Sequence, residues 1–514
     1  MSGCTVAAID LGASSGRVLR GTLDGGRLAV EECSRFPNGV AFVRTAGQPD
    51  LVWDVLSLWR GIREGLAEAA RRGPVEAIGI DTWGVDYGLL DADGRLIGNP
   101  AAYRSPRTAD AVVRVHGLMP QSELYGFNGA QHQAFNTLFQ LVADRSAAQA
   151  GLARSALLIP DLIAYWLTGR RVCEVTNAST TGLIDPATRD WSPELLDLLN
   201  GSFGVPVPDL LAELVEPGTV IGPMDLPDIS VRTSENRSTP VVAVATHDTA
   251  SAVVGVPAPG RSGRFGFVSS GTWSLVGVEL DHPVKTDASA AANFTNELGA
   301  DGTVRYLKNI MGMWMLQETL RQWREEDGTE ISWPQACRMA ASAPSMRTLI
   351  DVNDEIFVAP GPMTERIDLW ALEHGEPLPQ DRSQYLRALI ESLAVAYRRA
   401  LREARELSGA SLETVNIVGG GGQNELLCRL TADATGLPVV AGPVEGTSMG
   451  NMVVALRAVG AIDGGLDEMR QVVADSTSTT RYEPGPDQES IWEAAEARVF
   501  SPAPAATAPP SAPT

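Results

Sequence analysis

Short apolar, β-branched runs recur along the chain, and each ends in Gly, Ser, Thr, Asp or Trp. They are VAAIDLG (6–12), AIGIDTW (77–83), VVAVAT (241–246), FGFVSSG (265–271), VNIVGGGG (415–422) and PVVAG (438–442). Runs of this length and composition predict buried strands. Between them lie two long amphipathic patterns, LVWDVLSLWRGIREGLAEAARR (51–72) and SQYLRALIESLAVAYRRALREAREL (383–407). In the second, Leu386, Leu389, Ile390, Leu393, Tyr397 and Leu401 follow helical spacing. Ser383 is the expected cap at its start and Gly409 at its end. Strands alternating with helices predict an α/β architecture. One pattern repeats: VAAIDLGASSGRV (6–18) and FGFVSSGTWSLVG (265–277) are both an apolar strand, a small-residue turn and a return to apolar sequence. Two such units, one per half, predict two related domains joined near 240–260.

Length supports that division, since 514 residues exceed what one compact core usually serves. The formal charge of −22 argues against nucleic acid or an anionic membrane as partner. Cys4, Cys33, Cys173, Cys337 and Cys428 are scattered, with no CxxC pair, so free thiols in a reducing compartment are expected. The start, MSGCTVAAID, lacks a signal-peptide pattern, and no run approaches a membrane span. A cytoplasmic protein is expected. The tail SPAPAATAPPSAPT (501–514) has too little apolar surface to order and is expected to be disordered.

Small-residue turns after strands present backbone N–H groups to phosphate. A Walker A loop is excluded: the chain has two lysines, Lys285 and Lys308, and neither follows a glycine. DLGASSGR fits the dinucleotide fingerprint poorly. What remains is Asp10 on a strand just before Gly12, Ser14, Ser15 and Gly16. A carboxylate beside such a turn suits Mg²⁺–phosphate, and an unliganded hairpin turn suits it equally. Four glycines at 419–422 let a flat group lie against backbone, or form a flexible loop. Within VVAVATHDTASAV (241–253), Asp248 is either a base at the end of an apolar run or a helix N-cap. His247 reads as a packed histidine bonded to backbone. Trp83 and Trp273 read as core or pocket-wall aromatics.

Taken together and in order, DLGASSGR, GIDTWGVDYGLLD (79–91), FNTLFQL (135–141), TNASTTGL (176–183), THDTASAV (246–253), SSGTWSL (269–275), LKNIMGMWMLQE (307–318), VGGGGQN (418–424) and AGPVEGTSMGN (441–451) resemble an FGGY-type carbohydrate kinase. The resemblance runs from the first strand to about residue 480. It implies two actin-like, ribonuclease-H-like domains, 1–245 and 246–485, with ATP and sugar in the cleft between them. It implies transfer of the γ-phosphoryl group of ATP to the 1-hydroxyl of L-rhamnulose. In that scheme Ala13, Ser14, Ser15, Gly16 and Arg17 contact the ATP phosphates, with Thr272 opposite, and Gln317 and Gly420 border the nucleotide. Gly84, His247, Asp248, Thr249 and Asn309 meet the sugar, Asp248 accepts its proton, and Asp10 organises Mg²⁺. Arg17 has a second option, pairing with a nearby acid. Ser105, in YRSPRT (103–108), stands where the family often has Asp, and the glycine run reads GGGG. Kinases for L-fuculose or a pentulose, and a non-catalytic sensor on the same fold, are the competing readings. A monomer or homodimer acting on small molecules is expected.

Overall fold

The computed structural model describes residues 3–45, 47–260 and 263–500. Strands β1 (Cys4–Leu11), β2 (Ser15–Asp24) and β3 (Arg27–Pro37) form an antiparallel meander. Helix α1 (Val55–Arg71) then returns the chain to β4 (Ile78–Thr82), parallel to β1. Strands β5 (Thr219–Pro223) and β6 (Pro240–Ala243) finish a six-stranded sheet in the order β5-β6-β4-β1-β2-β3. β6 is parallel to β4, and β5 is its antiparallel edge. The unbroken apolar run of β1 follows from its central place: Val6 through Ile9 are fully buried.

The pattern at 51–72 predicts helix throughout, but the helix begins at Val55. Asp54 accepts from the amide of Ser57 at 3.1 Å and caps it, while Leu51–Trp53 belong to a strand, Gln48–Trp53. Val55, Leu58, Ile62, Leu66 and Ala69 form the buried stripe of α1.

After β6 the chain enters a short helix, α2 (Asp248–Val254), and then a seven-stranded sheet. Its strands are β7 (Phe265–Ser270), β8 (Trp273–Leu280), β9 (Thr295–Leu298), β10 (Val304–Met311), β11 (Thr414–Val418), β12 (Val439–Ala441) and β13 (Thr480–Tyr482), in the order β9-β10-β8-β7-β11-β12-β13. Apart from β9, the plan repeats that of the first sheet: an antiparallel meander, two parallel strands, then an antiparallel edge. Helices α3 (Trp314–Asp327), α4 (Arg382–Ser408) and α5 (Glu425–Thr435) accompany it. The predicted stripe of α4 is buried, and Gly409, at φ 74°, closes it through an N–H to Arg405 O. Its N-cap is Asp381 rather than Ser383; the carboxylate accepts from Gln384 N at 3.0 Å, and Ser383 lies within the first turn.

Helices α6 (Gly446–Ala458) and α7 (Leu466–Ser476) carry the late chain back onto the first sheet. Met449, Met452, Leu466 and Met469 share a core with Val6, Ala8 and Leu19. Gly450 lies against Ser251 O and Gly255 against Gly446 O, so any Cβ there would strike a carbonyl and force α2 and α6 apart. Among the described residues no helix is long and apolar enough to cross a membrane. The tail at 501–514, expected to be disordered, lies outside the described residues.

Candidate active site

Asp10 and Asp81 are register partners at the carboxyl ends of β1 and β4, where ligands of parallel sheets gather. Asp10 Oδ2 accepts from Arg17 Nη2 at 2.6 Å and from Ser448 Oγ at 2.5 Å. Arg17 also pairs with Glu445, so its guanidinium is held by two acids. Asp81 is fully buried. Its Oδ2 accepts from Asn451 Nδ2 at 2.6 Å, and Oδ1 has no partner among the described residues. Burial pushes the Asp81 carboxyl well above its usual range, and the charges of Asp10 and Asp248 add to that rise. The turn between β1 and β2 closes with Gly12 N donating to Ser15 O at 2.9 Å. It leaves Ser14 exposed and Ala13 and Ser15 half-buried, while Gly16 lies under the ring of Phe36 with no room for a Cβ.

On the neighbouring side, Thr82 N donates to Thr246 O at 2.9 Å, joining β4 to the start of α2. His247 occupies the cap position of α2 and Asp248 is its first residue, one place later than a capping Asp would sit. Asp248 Oδ1 accepts from Thr249 N at 2.7 Å and Thr249 Oγ1 at 3.3 Å. Burial raises the Asp248 carboxyl, His247 opposes that rise and Asp10 adds to it. His247 differs from the expected backbone-bonded histidine. Its Nδ1 lies 3.1 Å from Glu297 Oε2 and its Nε2 lies 3.5 Å from Asp248 Oδ1. Glu174 holds the preceding residue, accepting from Thr246 N at 3.0 Å and Thr246 Oγ1 at 2.6 Å. Gly84 backs onto Thr180, whose Oγ1 and Cγ2 would lie 2.9 Å from any Cβ there. Asn309, on β10, donates through N and Nδ2 to Gln131 Oε1 at 2.8 and 3.0 Å.

A row of aromatic rings starts beside Gly84. Trp83 and Trp53 have centroids 4.4 Å apart, Trp53 and Tyr103 6.2 Å, Tyr103 and Phe135 5.4 Å, and Phe135 and Trp273 6.2 Å. The row therefore reaches the turn at Thr272. Asp86 fixes its origin, accepting from Trp53 Nε1 at 2.6 Å, Trp83 Nε1 at 3.1 Å, Tyr103 N at 3.1 Å and Gln140 Nε2 at 3.0 Å. Burial still pushes this carboxyl up to about 6.

At the end of the second sheet, Gly271 N donates to Trp273 O at 2.8 Å, while Met313 N and Trp314 N donate to Gly271 O and Thr272 O. The turn is thereby tied to the start of α3, which carries Gln317, exposed, one turn further on. Ser269 and Val418 are register partners, so the glycine run emerges beside this turn. The run is ordered: Gly419 has φ 84° and Gly420–Gln423 form a 3₁₀ turn. Gly421 packs on Ser270 with no space for a Cβ, whereas a Cβ on Gly420 would meet nothing within 4 Å.

The structure thus groups Asp10, Arg17, His247, Asp248 and Thr249 at one sheet end, and Thr272, Gly420 and Gln317 around the other. Sequence reasoning gave no role to Asp81, Asp86, Glu297, Arg305, Glu445, Ser448 or Asn451. Ser448 and Asn451 lie 438 and 370 residues from the acids they hold, so no local spacing marked them. As for a divalent cation, among the described residues both side-chain contacts of Asp10 fall on Oδ2, which leaves the lone pairs of Oδ1 available. No cluster of three or more His, Cys, Asp or Glu among the described residues is arranged to hold a metal. That donor set fits a hydrated Mg²⁺, which takes one or two carboxylates, waters and phosphate oxygens rather than a protein cage.

Residues 6–255 match the N-terminal domain, and residues 266–459 the C-terminal domain, of the FGGY family of carbohydrate kinases. The chain belongs to that family. It is an ATP-dependent sugar kinase with a mixed α/β, two-domain, actin-like fold. Among its relatives is a rhamnulokinase of Bacteroides thetaiotaomicron, 41% identical over 494 residues, covering 95% of this chain and 97% of that protein. A rhamnulokinase of Pectobacterium carotovorum is 42% identical over 93% of each chain. The solved structure of Plasmodium falciparum glycerol kinase with ADP matches at a TM-score of 0.76 and 16% identity, over 96% of this chain and 97% of that one.

Proposed function

We propose that this enzyme transfers the γ-phosphoryl group of ATP to the 1-hydroxyl of L-rhamnulose, giving L-rhamnulose 1-phosphate and ADP in L-rhamnose catabolism. The observation that carries the choice of sugar is the 41% identity to a rhamnulokinase across nearly the whole of both chains. Residues 1–245 and 246–485 serve as the two lobes, with α6 and α7 of the second packing back onto the sheet of the first. The enzyme is cytoplasmic and works on small molecules as a monomer or homodimer; the charge of −22 supports only the lack of a nucleic-acid or anionic-membrane partner.

Asp248 acts as the base. Its carboxylate sits at the start of α2 with Oδ1 engaged and its side chain 35% accessible, so Oδ2 can accept the sugar hydroxyl's proton as the oxygen attacks phosphorus. The pocket around it is formed by Gly84, His247, Thr249 and Asn309, with the aromatic row as its apolar wall. Backbone N–H groups at 13–17 and 271–272 meet the phosphates, and Gly420 and Gln317 border the rest of the nucleotide. Arg17 holds Asp10 in place and exchanges an acid partner for phosphate when ATP enters. Asp10 Oδ1 would hold the water shell of Mg²⁺, which supplies charge neutralisation on the phosphates. Ser105 Oγ donates to Asp50 Oδ1 at 2.7 Å, so a carboxylate still stands beside that segment.

The test is a panel of ketoses with Mg·ATP in a coupled ADP-release assay, followed by NMR of the product. L-Rhamnulose is expected to give the highest kcat/KM and phosphate on O1. A higher value for L-fuculose or a pentulose, or ATP binding with no turnover on any ketose, would replace this reading.

A further inference from the structure

Under the start of α2 lies a buried ion pair that phosphoryl transfer, as described, does not use. Glu297 on β9 and Arg305 on β10 are register partners across the hairpin, with Nη1 and Oε2 3.0 Å apart. Glu297 is 4% exposed and Arg305 fully buried. Such a pair is a poor stability device, because desolvating two charges cancels most of their attraction and an apolar pair holds a hairpin as well. Its neighbours give it a purpose. Arg305 Nε and Nη2 donate to Leu298 O at 3.1 and 3.0 Å, so backbone fixes the guanidinium. The guanidinium stands against the Glu297 carboxylate, whose Oε2 lies 3.1 Å from His247 Nδ1, and Arg305 Nη1 lies 3.3 Å from the same ring nitrogen, so the ion pair as a whole faces the histidine. His247 Nε2 then faces Oδ1 of Asp248, the same oxygen that accepts both Thr249 groups. Among the described residues, one oxygen of the base is therefore engaged from several sides and no hydrogen bond falls on the other.

We propose that Glu297, clamped by Arg305, is a positioning residue that sets the His247 ring against Oδ1 of Asp248 and so makes Oδ2 the oxygen that takes the sugar proton. The proposal rests on Asp248 being the base. As the hydroxyl oxygen bonds to phosphorus and the bond from phosphorus to the ADP oxygen breaks, the hydroxyl proton passes to Oδ2. His247 and Glu297 gain and lose nothing. An error of about 1 Å at a reacting group can cost ~100-fold in rate, so a device two residues away from the substrate is worth keeping.

The experiment compares wild type, Glu297→Gln and Asp248→Asn as full-length protein. It measures kcat, KM for ATP, and the ring-nitrogen resonances of ¹⁵N-histidine, of which the chain has five. Glu297→Gln is expected to lower kcat about tenfold to a hundredfold, leave KM for ATP within about twofold, and shift the His247 ring resonances. An unchanged kcat, or a loss of kcat with the His247 resonances in place, overturns the proposal. Should Glu297→Gln fail to fold because Arg305 is left unpaired, Glu297→Asp keeps the charge, draws the carboxylate back by one methylene, and is judged by the same three readings. Asp248→Asn separates the two claims. If that variant turns over normally, the base assignment fails, whatever Glu297→Gln does to the histidine signals.

Discussion

The hairpins β1–β2 and β7–β8 hold the same place in their sheets, each an antiparallel pair whose first strand runs parallel to the next strand inward. Their chemistry differs. In the first, Asp10 faces Arg17 across the hairpin and Asp81 on the adjoining strand. In the second, Ser269 faces Leu275 and adjoins Val418. The buried acids differ in kind too. Asp81, Asp86 and Glu174, near the first sheet, are held by amide, indole and hydroxyl donors, and burial raises the carboxyl of each. Glu297, on the second sheet, is buried as well, yet Arg305 and His247 outweigh that burial and hold it below its usual range. On the reading proposed above, the two ends divide the work: Asp10 and Asp248 at the first handle cation and proton beside the phosphate turn at 13–17, and the second offers a rim of backbone groups that a polyanionic nucleotide can approach without carboxylate repulsion.

The largest test of this division is Asp248→Asn. Removing the base is expected to lower kcat by about 10²–10⁴-fold while leaving ATP affinity intact, as read by steady-state kinetics and nucleotide titration. Loss of nucleotide binding would mean that the two ends are not separate. Asp86→Asn probes the raised carboxyls. A group at about 6 when folded and ~3.9 when unfolded binds its proton more tightly in the native state. The stability it contributes is therefore complete below about pH 4 and lost by about pH 6. The variant lacks this proton, so its denaturation free energy relative to wild type should change by about 3 kcal/mol between those pH values and stay level above them; a constant difference would contradict the assignment.

Asp10→Asn is expected to raise the Mg²⁺ concentration for half-maximal rate by about tenfold to a hundredfold. An unchanged metal titration at fixed ATP would remove Asp10 from that role. On the neutral rim, Gly421→Ala drives a Cβ into Ser270 and lifts the glycine turn from β7. The expected result is KM for ATP higher by about tenfold with kcat nearly unchanged, since overpacking of this kind costs roughly 1–3 kcal/mol. If kcat fell instead, the rim would be shaping the chemistry rather than only the nucleotide's seat.

The amino-acid sequence by itself determined the α/β architecture, the two related hairpins, the stripe of α4 and the family. These depend on short-range periodicity and on motifs in a fixed order, which a single chain displays openly. Helix starts were less legible: Asp54 caps α1 although the amphipathic pattern began at Leu51, and Asp381 caps α4 where Ser383 was the expected cap. Only the tertiary structure decided that Arg17 spends its charge on Asp10 and Glu445, that His247 sits between Glu297 and Asp248, and that α6 brings Ser448 and Asn451 to acids on the first sheet. A carboxylate's partner is set by what folds against it, and a residue hundreds of positions away leaves no mark on the sequence around the acid it will hold.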